Sequence, residues 1–273
     1  MWRARLRVFV GLPLLKGFLI KMWEAFTLSY PNDMVVVIAL CFVLAGLVKG
    51  TIGMGMPAIL MVTLTLFIPP IEAIPIIVLP MLFVNVFQFL RGPQPKAIAR
   101  KYAVFVWAMA AVMAVTAYNI RWFPEAVLLT SIGVAMILFA VPSLFGWRFP
   151  VGPNPLWQVL AGGTAGVIGG LSSVWSPPVV MYLMGRDVGK DEFIGAIGFI
   201  FMIGSVTLAL ALGSIQLLTV DIILPSVVGL ALTMIGFRTG EIIRQRINLE
   251  MFRRLVLVAF LIMGGRLVLI SFF

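Results

Sequence analysis

Apolar runs about twenty residues long, each bounded by charge, recur along this chain and limit what it can become. A bilayer core is about 30 Å thick, so a helix that crosses it needs about 20 apolar residues. Such runs occupy residues 71–90, 101–119, 124–142, 191–212, 219–237 and 255–272. Two further runs, 34–68 and 156–184, are too long for one straight span and carry Gly and Pro in their middles. The alternating strands of a membrane barrel are absent. With 62% hydrophobic and 11% charged residues in 273, the chain is more apolar than a soluble domain of its size. The sequence predicts an all-α polytopic membrane protein.

The net charge of +10, without histidine, lies between the apolar runs. Orientation in the bilayer explains it better than nucleic acid does. The single cysteine, Cys41, sits inside a run and excludes an internal disulfide. The opening "MWRARLRVFVGLPLLKGFLIKMWEAF" has a basic start, but Lys16 and Lys21 interrupt its apolar part and no convincing cleavage site follows. Residues 1–33 read as an uncleaved basic helix, crossing the membrane or lying in its interface.

The chain also reads as one unit written twice. "LAGLVKGTIG" (Leu44–Gly53) matches "LAGGTAGVIG" (Leu160–Gly169) at an offset of 116, and after a short insertion an offset of 120 aligns Pro57 with Pro177, Glu72 with Glu192 and Asn85 with Ser205. Residues 34–142 and 156–273 are the expected copies, and 143–155, containing "GWRFPVGPNP", the linker. Each copy opens with a broken segment. In the first, arms of 34–48 and 57–68 span about 22 and 18 Å at 1.5 Å per residue. Neither crosses easily, so a re-entrant hairpin is expected, with three full spans after it. Such backbone is tolerated at membrane depth only against protein or a wet cavity. Counted this way, Arg91, Lys96, Arg100, Lys101, Arg148, Arg186, Lys190, Arg238, Arg244, Arg246, Arg253 and Arg254 fall on one side and Arg121 alone on the other. That asymmetry is the positive-inside pattern. It makes the copies inverted repeats, a recurrent design of secondary transporters.

The candidate site residues come from the broken segments and the spans after them. Lys49 is a cation within apolar sequence, where charge is costly and usually functional. It equally suits the negative end of the first arm, with Gly50 as its C-cap. Thr51 stands beside them. Gly53 and Gly55 permit close approach to backbone, and Pro57 suits the start of the second arm, whose N-terminus favours anions. In the second copy Ser176 is the expected N-cap before Pro177. Ser172, Ser173 and Ser176 supply hydroxyl donors, and Trp175 lines or gates a path or simply packs. Asn85, Gln88 and Ser205 sit in matching spans, as binding groups or as interhelical glue. Every acidic residue lies at a run edge or in a loop. No carboxylate or histidine relay, metal cluster, Walker loop or nucleophile with a histidine base is present, which argues against an enzyme and against a bound cofactor.

At these residues the sequence resembles the TauE/SafE family of permeases, exporters of sulfite and organosulfonates. The stretches that carry the resemblance are "SPPVVMYLMGRDVGKDEFIGAIGFIF" (Ser176–Phe201), "GMGMPAILM" (Gly53–Met61) and "NVFQFLRG" (Asn85–Gly92). Where family members often carry a glycine run before the paired prolines, this chain has "SSVWS". The resemblance implies the family fold and transport of a small sulfur-containing or carboxylated anion in a bacterial inner membrane. The residues themselves lead to a transporter whose two hairpin tips meet near the midplane and bind an anion with alternating access. They leave open a permease for an uncharged or cationic solute, a non-transporting scaffold, and a homo-oligomer.

Overall fold

The computed structural model describes residues 32–90, 92, 95–147, 151–152 and 154–272. The expected N-terminal helix lies almost entirely outside the described residues. Among those described there are eleven α-helices and no strand: α1 (Asn32–Ile52), α2 (Met56–Leu64), α3 (Pro70–Leu90), α4 (Pro95–Lys101), α5 (Ala103–Tyr118), α6 (Glu125–Phe145), α7 (Pro155–Ser172), α8 (Ser176–Gly185), α9 (Lys190–Ser214), α10 (Val220–Ile243) and α11 (Leu249–Ile270). Five stretches are long and apolar enough to cross a membrane: Val35–Ile52, Pro70–Leu90, Glu125–Phe145, Asp191–Ser214 and Pro225–Ile243. The run at 101–119 is realised as α4 and α5, which pass the same test as a pair but meet at 67°. The run at 255–272 becomes α11, which starts earlier and takes Glu250, Arg253 and Arg254 into its first turns.

The first broken segment differs from its expectation. α1 runs unbroken for 21 residues, about 31 Å of helix, so its arm is long enough to span and contains Lys49 and Gly50. The break comes later, where Gly53 and Gly55 take φ of +91° and +92°, a region glycine enters without steric cost. The N–H of Gly53 donates to the Lys49 carbonyl at 2.7 Å. Gly50 is therefore not a cap. Gly46 and Gly50 form one face of α1, and a Cβ at either would run into the carbonyl oxygens of Thr233 and Phe237 on α10. Gly236 and Gly240 return the arrangement against the carbonyls of Val43 and Leu47. Two Gly-x-x-x-Gly faces thus meet with backbone on backbone, the way helices associate where no hydrophobic drive separates protein from lipid. α7 presents Gly162 and Gly166 to the carbonyls of Phe105 and Met109 on α5 in the same manner.

These pairings follow the doubled sequence. The opening arm of each half packs on the middle long helix of the other, α1 on α10 and α7 on α5. The helices that follow the hairpins, α3 and α9, pack on each other, as do the last ones, α6 and α11. A single spacing of 120 residues relates Ile52 to Ser172 at the arm ends, Gly53 to Ser173 at the positive-φ breaks, Met56 to Ser176 at the next helix starts and Asn85 to Ser205. The offset of 116 read from the sequence is one helical turn out. A stripe of glycines four apart matches itself when shifted by four, so no insertion is needed.

Two interior prolines, Pro75 and Pro80, are accommodated inside α3. Pro80 has no N–H for the carbonyl of Ile76. The buried hydroxyl of Ser226 on α10 donates to that carbonyl at 2.8 Å. A neighbouring helix thus satisfies the freed group, as apolar surroundings require.

Candidate functional site

α1, α3 and α9 converge on one buried polar cluster. Lys49, Asn85 and Ser205 are each at most 1% exposed. The Lys49 ammonium donates to Asn85 Oδ1 at 2.6 Å, Asn85 Nδ2 donates to Ser205 Oγ at 2.8 Å, and Ser205 Oγ donates to the Phe201 carbonyl at 2.8 Å. The chain of donors fixes which end of the Asn85 amide faces the lysine. Phe201 places its ring centroid 5.7 Å from Lys49 Nζ, close enough for a cation–π contribution. Among the described residues no carboxylate lies within ion-pair range of Lys49. An ammonium has three N–H donors, and here one carbonyl oxygen takes one of them. A buried cation so under-compensated is expensive.

The cation stands at a cavity of about 230 Å³ whose lining includes Lys49, Gly50, Gly53, Gln88, Glu241 and Arg244. A Cβ at Gly53 would meet nothing within 4 Å, so the first tip borders open space. Gln88 Oε1 is buried without a partner. Glu241 is held by Arg238 at 3.0 Å, and Arg244 makes no ion pair among the described residues. The cavity's uncompensated charge is therefore positive.

The second tip is closed. Ser172, Ser173, Trp175 and Ser176 are all 3% exposed or less. Ser172 Oγ donates to the Ile168 carbonyl at 2.6 Å and accepts from the Val174 N–H at 3.0 Å, finishing its own helix. Ser173 makes the break with φ of +59°. Trp175 packs against Gly169 and Gly204 and meets the Phe201 ring edge-on at 6.0 Å. Ser176 is the first residue of α8 rather than its cap. Trp175 holds the cap position, and no side chain bonds there. The equivalent shift puts Pro57 second in α2, behind Met56.

Of the twelve residues singled out, the structure brings Lys49, Asn85 and Ser205 into direct contact and sets Gly50, Gly53 and Gln88 around the same cavity. Gly50 is there as a helix-packing residue. Thr51 donates to the Leu47 carbonyl at 2.7 Å and faces Gly240 of α10, so its hydroxyl is used by the fold. Gly55 faces Phe260 and Val48. The two tips flank the cluster, the first through Lys49 and the second through Trp175 on Phe201. The sequence reading passed over Phe201, which looks like any apolar span residue, and Arg244, which it counted only as loop charge.

The sequence profile of the family described as "Sulfite exporter TauE/SafE" matches residues 38–267. The chain belongs to the TauE/SafE family. The match takes in every described helix from most of α1 to most of α11, and with it the whole cluster. No curated protein matches the chain, and no solved structure does. The family is one of membrane exporters of sulfite and sulfur compounds, and this TauE/SafE chain is a multi-pass membrane protein.

Proposed function

We propose that this TauE/SafE chain carries a small sulfur oxyanion or organosulfonate across a bacterial inner membrane, and that Lys49 binds it from the cavity. The observation that carries the reading is a buried lysine with one neutral hydrogen bond, no carboxylate partner among the described residues and an opening beside it. An anion completes the charge balance that the protein leaves open. Gln88 and the backbone at Gly53 stand where its oxygens or its hydration would arrive, and Arg244 lies on the way in. The two halves act as inverted repeats that rock about the α3–α9 contact, where Asn85 and Ser205 join them. Uptake of labelled sulfite into liposomes containing the purified chain tests the reading. Absence of uptake above protein-free vesicles, with taurine and sulfoacetate equally inert, refutes it.

Orientation provides a second test. The positive-inside pattern puts α4 and the turn between α10 and α11 on the cytoplasmic side. In a Cys41→Ala background, Lys96→Cys and Arg246→Cys are expected to react with a membrane-impermeant thiol reagent only after the cells are opened. Labelling of either from outside intact cells would contradict the inverted arrangement.

A further inference from the structure

Five buried side-chain atoms lack any hydrogen-bond partner among the described residues, and three of them, Ser173 Oγ, Trp175 Nε1 and Ser176 Oγ, fall within four consecutive positions at the second tip. Buried polar groups in native proteins are nearly always paired, so a cluster of exceptions calls for a missing partner. All three can donate, and an indole N–H can only donate. The tip contains no carboxylate and no other charged group.

The helix that follows gives the cluster its meaning. A helix N-terminus ordinarily offers an anion its first free amide N–H groups. In α8 the second and third positions are Pro177 and Pro178, which have no N–H. The backbone here is poor in donors while the positive end of the helix dipole remains. Ser173, Trp175 and Ser176 are the unpaired side-chain donors at this end of the helix.

We infer that the second tip is an oxyanion cradle of its own, separate from the Lys49 cavity in this conformation. The inference rests on the transport reading above. The Phe201 ring neighbours both, 5.7 Å from Lys49 Nζ and 6.0 Å from the Trp175 ring, centroid to centroid. Its backbone carbonyl is held by Ser205 at 2.8 Å and approached by Asn85 at 3.4 Å. An anion leaving Lys49 for the second tip passes this ring and exchanges a cation for three neutral donors. Neutral donors hold a dehydrated oxyanion without trapping it as a fixed ion pair, which suits a station on a path.

The test is a combined variant, Ser173→Gly and Ser176→Ala, in the full chain in proteoliposomes with sulfite as the anion. Glycine is chosen at 173 because alanine would be strained at φ of +59°. Each change removes a donor and adds no volume. The donors make no bond among the described residues, so the melting temperature is expected to stay level or rise. Sulfite transport is expected to fall about 100-fold, since each hydrogen bond to an anion contributes roughly tenfold in affinity. Transport at the unmodified level, or a fall in transport accompanied by a lower melting temperature, overturns the cradle and leaves the role of Lys49 standing. Absence of sulfite transport by the unmodified chain overturns both.

Discussion

Lys49→Met is expected to weaken sulfite binding about 5- to 150-fold while leaving the protein as stable as before or more so. The affinity loss follows from the charge. At an effective dielectric near 20, an anion about 4 Å from an ammonium gains roughly 4 kcal/mol. Desolvation takes back much of that, leaving a net of about 1–3 kcal/mol. The stability follows from burial. Lys49 is 1% exposed and has one hydrogen bond, to Asn85 Oδ1, so methionine removes an under-compensated charge and keeps most of the stem's packing. A lysine that served only the helix end would behave in the opposite way. Its loss would lower the melting temperature and leave binding untouched. Calorimetric titration with sulfite and a melting curve on one preparation separate the two outcomes. Arginine should restore binding only in part, because its planar fork needs more room than an ammonium. Asn85→Asp adds a sharper control. It sets a carboxylate on the lysine at the position of the present 2.6 Å bond, supplying the counter-charge that the substrate would otherwise bring. Transport is expected to collapse although the lysine is still there.

The second large effect concerns the fold. Gly50→Ala is expected to cost about 3–5 kcal/mol, enough to prevent accumulation of folded protein, because its Cβ would occupy the place of the Phe237 carbonyl oxygen. The helices cannot yield locally, since Gly46, Gly236 and Gly240 close the same seam. Gly162→Ala should fail for the same reason against Phe105. Its neighbour Gly163 has nothing within 4 Å of an added Cβ, and Gly163→Ala is expected to stabilise by up to about 1 kcal/mol through helix propensity. Thermal melts of detergent-solubilised variants check all three. Equal stability of the Gly162 and Gly163 variants would show that the seam is looser than the geometry described here.

Two adjacent glycines with opposite expectations show where local sequence runs out. Length and apolarity settled the class of protein, because a lipid environment forces backbone into helices and sets their length. The glycine stripe set the sequence alignment of the two halves one helical turn out, whereas the proline and polar positions gave the spacing of 120, and Asn85 and Ser205, aligned on that ground alone, hydrogen-bond each other. Charge inside apolar sequence singled out Lys49. The exact ends of the arms were not legible. Glycine is both a helix breaker and a helix-packing residue, and nothing local separates Gly50, packed on Phe237 inside α1, from Gly53, at the positive-φ break. Nor could sequence separate the serines. Ser172 finishes its own helix through Ile168 and Val174, while Ser173 and Ser176 have no partner among the described residues, a distinction of backbone geometry that residue type does not carry. Phe201 is the clearest case, an ordinary apolar residue in an apolar run that packing sets against a cation and a tryptophan. The covalent chain fixes which segments can live in the membrane, whereas the roles of Lys49, Asn85 and Ser205 depend on finding one another, and only packing between distant segments decides that.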